Sequence, residues 1–404
     1  MTLDNLPYWR LSSFYFFNCV ALGLMLPFWG LYMHSLGYHA AEIGFVTSLL
    51  MITNIFSPPL WGWWADKTGH RLALIRWGAA ASVLCFAWLL KDFGLAGMTL
   101  AIIACGICWQ GINAQFETIT LDYLRENSRD YSRIRLWGSV GFVCAVSGGG
   151  WLFDRVQLSL LPTLIVFALA LMWGSTLTIR EATKTTKLRP QTQSLWRRIR
   201  QPALITLLLG LMLAYFSHGS YYSFYSIYLE QLKHDKTTMG LLWSLAVLAE
   251  LLVFALMPLL LKRFSVATIL LVSVCATSLR WLGIAFGADW IGILVFCQLL
   301  HGLSFSAVHA CAIELLYRYF GNDYQGRGQA LYYSLCVGAG QATGALVSGW
   351  LWELNPTTSF VVSASAAGIA AMLILAALYQ PSLSLLRRRP GTGANEQLVR
   401  QDMN

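Results

Sequence analysis

Three residues that can carry charge or a proton fall at matching depths in three consecutive apolar stretches. Glu250, Arg280 and His301 each lie inside a run long enough to cross a membrane. A charged side chain at the bilayer centre costs at least about 2.5–3.5 kcal/mol, so such groups usually pair or serve a function. A carboxylate, a guanidinium and an imidazole at one depth predict a proton-binding network. The alternative interpretation is a static buried ion pair between Glu250 and Arg280 that fixes helix packing.

A second histidine, His309, follows His301 by eight residues in the same run. On an α-helix this spacing separates the two side chains by about 80° and about 12 Å, so both can face one cavity. We predict proton coupling for Glu250, Arg280, His301 and His309. Glu250 is the first choice for the residue that carries the proton, and either histidine is the alternative.

The first half of the chain offers a smaller charged set, made of Glu117, Asp122 and Arg135. A guanidinium binds a carboxylate through two parallel hydrogen bonds, so Arg135 is a candidate for contact with an anionic solute. The alternative is an interfacial salt bridge between Asp122 and Arg135. Glu117 and Asp122 lie about 7.5 Å apart along a helix and about 140° apart around it, so they do not share a face. We favour Glu117 as the inward residue and keep Asp122 as its rival.

An aromatic stripe with hydroxyl tips runs along the seventh apolar stretch. Tyr221, Tyr225 and Tyr228 follow the i, i+4, i+7 spacing of one helical face. Such a face suits an aromatic solute, and the alternative is a belt at the membrane interface. Tyr221 and Tyr225 are therefore predicted substrate contacts, to which Phe142 and Gln341 are added.

The composition places these residues in a membrane protein. Of 404 residues, 57% are hydrophobic and 12% are charged, against about 25% charged in soluble proteins. This balance argues against a soluble enzyme, a nucleic-acid-binding protein and a disordered chain. The nine cysteines do not include two pairs with the spacing typical of zinc ligands, and the sequence contains no Walker-type nucleotide-binding loop. We expect no metal and no cofactor, with protons as the coupling ion.

Twelve apolar runs long enough to span a membrane predict an all-α protein of two six-helix bundles. Lys and Arg fix the orientation: 22 lie on one side and 4 on the other, which predicts cytoplasmic termini. The net charge of +9 then reflects topology. The predicted organisation is a bundle over 1–180, a cytoplasmic linker over 181–201, a second bundle over 202–380 and a cytoplasmic tail over 381–404.

The turn after the second run reads Gly62-Trp-Trp-Ala-Asp66-Lys67-Thr-Gly69-His-Arg71. It resembles the G-x-x-x-D-(R/K)-x-G-x-(R/K) loop of the major facilitator superfamily. Within that superfamily the chain resembles the lactose permease and, more closely, the phenylpropionate permease group. The segments that carry this resemblance are Leu26–Trp29, Arg135–Val140, Trp243–Leu245 with Ala249-Glu250, Leu279–Trp281, and Leu300-His301 with His309.

The resemblance implies a proton-coupled secondary transporter and not an enzyme. It implies a cytoplasmic gate at Gly62, Asp66, Lys67, Gly69 and Arg71. Ser304 stands where the lactose permease has its proton-carrying glutamate, which shifts that role to Glu250 or a histidine.

The expected solute is an aromatic or other small monocarboxylate, with a sugar or nucleoside as the alternative and a drug/proton antiporter as the alternative of another class. We expect a monomer in a bacterial cytoplasmic membrane, with a small-molecule substrate and lipid as its partners and no nucleic acid.

Overall fold

The computed structural model describes residues 7–91, 93–124, 128–180, 200–320 and 325–380. Over these residues the chain forms helices and turns without a strand. The first six long helices are α1 (Tyr8–Ser35), α2 (Ala40–Thr68), α3 (Arg71–Ala87), α4 (Gly94–Leu124), α5 (Ser128–Phe153) and α6 (Leu161–Leu177). The second six are α7 (Pro202–Phe216 and Gly219–Gln231), α8 (Lys236–Arg263), α9 (Val266–Gly287), α10 (Ile291–Phe320), α11 (Gln325–Leu354) and α12 (Pro356–Tyr379).

The predicted fold class is confirmed. Eleven of these helices are long and apolar enough to span a bilayer, and α11 completes the set of twelve by packing along α2 and α7. Most of the predicted linker, 181–199, and the predicted tail, 381–404, lie outside the described residues.

The helices pack as two bundles of six. In the first bundle α1 packs on α5 and α6, while α4 packs on α2 and α3. In the second bundle α12 packs on α7 and α9, while α8 packs on α10. We call the helix ends that carry Lys67, Arg71, Arg263 and Arg318 the basic face, and the opposite helix ends the far face.

The two bundles contact each other mainly in the half of the molecule near the far face. There α2 packs on α11, α5 packs on α8, and α1 packs on α7. One hydrophobic core runs through the first bundle into the far half of the second, whereas the half of the second bundle near the basic face has a separate core. The bundles therefore separate toward the basic face.

Three long helices of the second bundle depart from regular α-helix part-way along their length. The two parts of α7 meet at Ser217 and His218. Helix α10 is a π-helix over Gly302–Ala307, and α11 is a π-helix over Tyr332–Ala339. Such insertions are rare and occur often at functional sites, because the wider turn redirects the side chains that follow it.

Candidate functional site

The centre of the second bundle holds a carboxylate–imidazole pair. Oε1 of Glu250, on α8, lies 2.7 Å from Nε2 of His301, on α10. The His301 side chain is buried and that of Glu250 is 19% exposed. Nδ1 of His301 has no partner among the described residues. At this distance a proton can pass between the two side chains without movement of either helix.

Arg280 lies fully buried beside this pair. Its Nε donates to the carbonyl of Cys297 at 3.0 Å, its Nη2 to Oε1 of Gln298 at 3.2 Å, and its Nη1 to the hydroxyl of Ser304 at 3.3 Å. The guanidinium carbon also sits 4.2 Å from the centroid of the Tyr221 ring and 4.3 Å from that of Trp281. Neutral acceptors and ring faces thus hold the charge in place.

The alternative interpretation, a direct ion pair between Glu250 and Arg280, is not what this conformation shows. The carboxylate of Glu250 pairs with His301, and no carboxylate among the described residues lies within 4.0 Å of Arg280. Glu250 and Arg280 remain within electrostatic range. Residues at equal depth on adjacent helices meet only if each helix is rotated about its axis so that they face each other. Here the rotations bring Glu250 to His301 and not to Arg280.

His309 belongs to a second cluster, nearer the basic face. Its Nδ1 lies 3.0 Å from the hydroxyl of Tyr332, and its Nε2 lies 3.2 Å from the hydroxyl of Tyr333. The rings of His301, Phe305 and His309 stack with interplanar angles of 17° and 8°. The π-helix turn of α10 reduces the rotation per residue, so the histidines lie closer to one face than α-helical spacing predicts.

The first bundle places Arg135 and Glu117 together. Nη1 of Arg135, on α5, lies 3.4 Å from Oε1 of Glu117, on α4, and their side chains are 48% and 42% exposed. The hydroxyl of Tyr131 donates to the same carboxylate oxygen. The Arg135 guanidinium also lies 5.4 Å from the centroid of the Tyr15 ring. Of the two acids left open by the sequence, Glu117 is the one that meets Arg135.

The remaining predicted contacts occupy different positions. Asp122 is half-buried near the basic end of α4 and makes no ion pair with Arg135. Tyr221 and Tyr225 are fully buried within the second bundle, where the Tyr221 hydroxyl donates to Gln298 at 3.1 Å. Phe142 and Gln341 are largely buried as well. In this conformation these four side chains do not form an exposed surface with Arg135 and Glu117.

Tyr333 connects the two halves of the site. Its hydroxyl bonds to His309 in the second bundle, and its ring lies within electrostatic range of Glu117 and Arg135 in the first. The Tyr333 side chain is 49% exposed. The half-exposed groups of both bundles therefore face one space, which opens toward the basic face.

The motif loop is formed as the sequence predicts. Nη2 of Arg71 lies 2.9 Å from Oδ1 of Asp66, and Gly69 ends α2 in the left-handed conformation with φ of +69°. The Lys67 ammonium lies 4.9 Å from the ring centroid of a tryptophan four residues earlier. Gly62 faces α4, because a Cβ built on Gly62 would lie 3.5 Å from the side chain of Gln115. The role of this loop as a gate stays a prediction.

Among the described residues, no group of three or more His, Cys, Asp or Glu side chains could hold a metal ion. The clustered groups are instead one carboxylate–imidazole pair, one guanidinium–carboxylate pair and a set of phenols. Groups of these kinds have the chemistry to bind protons, anions and hydrogen-bonding solutes.

Comparison with known proteins agrees with this geometry. A model of the MFS_1 like family matches residues 8–362. The chain belongs to this family. It is thus a membrane transporter of the major facilitator fold and not an enzyme, as the sequence predicted.

Three proteins illustrate the range of relatives. The chain is 27% identical to the probable 3-phenylpropionic acid transporter of Escherichia coli, over 87% of this chain and 93% of that protein. It is 26% identical to the maltose permease of Geobacillus stearothermophilus, over 90% of this chain and 93% of that protein. The crystal structure of the nucleoside transporter NupG has a TM-score of 0.78 at 19% identity, covering 93% of this chain and all of that one.

Several site residues escaped the sequence-based prediction. Tyr131 lies one helical turn before Arg135, a spacing that brings side chains together. Tyr332 and Tyr333 carry no comparable signal, because the π-helix that aims them at His309 is not visible in the residue pattern. Tyr215 joins the same cluster, with its hydroxyl 2.5 Å from that of Tyr332.

Proposed function

We propose that this chain is a proton-coupled symporter that imports a small aromatic monocarboxylate. The basic face would lie in the cytoplasm of a bacterial cell, with both termini there, in agreement with the distribution of Lys and Arg. Protons would be the coupling ion, without another cofactor or a nucleic-acid partner. A monomer would suffice, because the chain supplies both bundles and the site between them.

The observation that carries the proposal is the environment of Arg135. Its Nη1 contacts Glu117 and Tyr131, the Tyr15 hydroxyl lies beside the guanidinium, and the side chain is 48% exposed between the bundles. A guanidinium exposed in this way can form two parallel hydrogen bonds to a carboxylate. The rings of Tyr15 and Tyr131 flank the guanidinium at 5.4 and 5.9 Å and offer faces to an aromatic solute.

The charges of the second bundle provide a way to couple this binding to protons. With Glu250 ionised and His301 neutral, the charges of Glu250 and Arg280 cancel. When the Glu250–His301 pair gains a proton, the cluster carries one net positive charge in a setting of low dielectric constant. That charge favours an anion in the adjoining space, so proton and anionic solute bind together. A differential affinity of this kind is what a coupled transporter requires.

The relatives support the proposal and also give the second candidate. The phenylpropionic acid transporter suits a carboxylate solute, whereas the maltose permease and NupG suit a solute rich in hydroxyl groups. One observation favours the second candidate: Glu117 and the phenols of Tyr131 and Tyr333 are hydrogen-bonding groups that sugars and nucleosides use.

Purified protein in liposomes tests the proposal. Counterflow of labelled 3-phenylpropionate, uridine and maltose would be compared in parallel, followed by uptake under an imposed pH gradient with the interior alkaline. We expect counterflow of phenylpropionate, and solute-induced uptake of protons recorded as a rise in external pH. Protein-free liposomes give the background, because protonated phenylpropionic acid crosses bilayers unaided.

The outcomes separate the alternatives. Counterflow of uridine or maltose without that of phenylpropionate would replace the carboxylate by the second candidate. Protons moving opposite to the solute would indicate an antiporter. Counterflow with no proton movement under any gradient would overturn the coupling.

A further inference from the structure

The far face contains a repeated sequence pattern. Residues 150–154 read Gly-Trp-Leu-Phe-Asp and end α5, whereas residues 349–353 read Gly-Trp-Leu-Trp-Glu and lie at the end of α11. In both segments a glycine precedes an acidic residue by four positions. The same helices, α5 and α11, occupy equivalent places in the two bundles.

The partner helices repeat as well. Gly44 lies four residues after the first residue of α2, and Gly240 lies four residues after the first residue of α8. The turns before these helices adopt the left-handed conformation at equivalent positions, with φ of +86° at Gly37 and +63° at Lys233. The contacts α5–α8 and α11–α2 are thus two copies of one arrangement, each joining one bundle to the other.

In the first copy, Asp154 from the first bundle accepts hydrogen bonds from the start of α8 in the second. Oδ1 accepts from the backbone N–H of Lys236 at 2.8 Å, and Oδ2 accepts from the N–H of Thr237 at 2.9 Å and also from its hydroxyl. The N–H of Thr238 is already satisfied by Asp235, the N-cap of α8 itself. The two acids together satisfy three of the four N–H groups that the start of a helix leaves without intrahelical partners.

In the second copy the roles of the bundles are exchanged. Oε1 of Glu353, from the second bundle, accepts a hydrogen bond of 3.2 Å from the N–H of Ala41 at the start of α2, in the first. The other acid at this end, Glu42, accepts from the N–H of His39 and so caps its own helix. A negative charge near a helix N-terminus also interacts favourably with the helix dipole.

Four glycines bring the carboxylates within reach. A Cβ built on Gly44 would lie 2.6 Å from the carbonyl oxygen of Ala345, and one on Gly349 would lie 2.8 Å from that of Ala40. In the other copy, a Cβ built on Gly150 or on Gly240 would lie even closer to a carbonyl oxygen of the opposite helix. Any side chain at these positions would separate the helices and move the acids away from the N–H groups.

The Asp154 carboxylate is held in its ionised form. Partial burial acts to raise its pKa, but the hydrogen bonds from the Thr237 hydroxyl and from the N–H groups of Lys236 and Thr237 outweigh burial, and the charge of Lys236 adds to them. The pKa of Asp154 therefore lies below its usual value, and its contribution persists until the pH falls through that lowered pKa.

We propose that Asp154 and Glu353 are a two-fold related pair of latches that hold the far face closed by capping helices of the opposite bundle. When the bundles part at this face, both carboxylates lose their N–H partners together. The latches therefore set the equilibrium between the far-face-closed and far-face-open states. This inference goes beyond the proposed function, since it depends on neither the solute nor the coupling ion.

Distances between spin labels test the proposal without any substrate. In a variant lacking the nine natural cysteines, labels would be attached at Lys91 and Asp289, which are exposed at the far face on different bundles. We expect Asp154→Ala and Glu353→Ala each to raise the ratio of open to closed molecules roughly fivefold, as for the loss of a helix cap of about 1 kcal/mol. The double variant should shift the distance distribution further than either single variant.

Two matched controls separate the latch from ordinary helix capping. Asp235→Ala and Glu42→Ala remove acids at the same helix ends that cap their own helices, and the distance distribution should stay that of the parent. Ser at either position shortens the side chain, and Asp154→Ser and Glu353→Ser replace the alanine variants if those do not fold. Distances unchanged in all latch variants, or changed equally in the controls, would overturn the proposal.

Discussion

The carboxylate of Glu250 and the Nε2 atom of His301 lie 2.7 Å apart, on two helices of one bundle, at the middle of the membrane-spanning region. One proton placed between these atoms changes the net charge of a cluster that also contains the buried Arg280. Among the residues that the structure describes, Arg280 hydrogen-bonds to neutral acceptors, so no second carboxylate in contact with it offsets this change. The pair is therefore suited to bind a proton, as the proposed coupling requires.

Replacement of Glu250 by Gln tests this assignment. The amide keeps the size of the protonated acid but cannot release a proton, so the charge of the cluster becomes fixed. We expect Glu250→Gln to lose accumulation driven by a pH gradient while counterflow of the solute persists, measured in the same liposomes. His301→Gln serves as the comparison, and gradient-driven accumulation by Glu250→Gln would make Glu250 structural and return the role to a histidine.

Arg135 and Glu117 allow the solute class to be tested at the site itself. Arg135→Lys keeps the charge but removes the planar pair of donors, which should weaken binding of a carboxylate solute roughly tenfold to a hundredfold, as for a lost charged hydrogen bond of about 1.5–3 kcal/mol. Competition for counterflow by phenylpropionate measures this loss. Glu117→Gln is the matched variant. If uridine or maltose binds, we expect this variant to weaken the binding of that solute more than the binding of phenylpropionate. Equal affinity in Arg135→Lys and the parent would place the carboxylate elsewhere.

The sequence predicted the number of spans, the two bundles and the proximity of Glu250, Arg280 and His301. These predictions rest on apolar length and on the cost of buried charge, which are both properties of the residues themselves. It left open which of Arg280 and His301 pairs directly with Glu250, because the rotation of α9 against α8 and α10 depends on packing over whole helices. It also missed Tyr333, since the π-helices of α10 and α11 arise from contacts between helices and leave no period in the sequence.

Arg280 should matter for the stability of the second bundle as well as for its charge. Its guanidinium makes three hydrogen bonds and lies between two aromatic rings, a geometry that lysine cannot reproduce. We expect Arg280→Lys to lower the free energy of unfolding by about 2–4 kcal/mol, although the formal charge is kept. Thermal unfolding in detergent measures the change. Arg155→Lys, at an exposed arginine that bonds a backbone carbonyl, is the control and should change the melting temperature little.

The ion pair between Asp66 and Arg71 could act in gating or only in stability. The sizes of the changes in stability and in transport rate when the pair is broken distinguish these two roles. The carboxylate and guanidinium lie 2.9 Å apart, but the Asp66 side chain is 74% exposed, and exposed pairs contribute only about 0.2–1 kcal/mol to stability. We expect Asp66→Ala to leave the melting temperature nearly unchanged while it lowers the rate of transport by far more than so small an energy explains. Glu314→Ala breaks another partly exposed pair, with Arg318 at 2.7 Å on α10, and should leave both quantities near those of the parent. If Asp66→Ala transports as fast as the parent at equal amounts of protein, the motif loop is a solvated turn, and the opening of the basic face is controlled elsewhere.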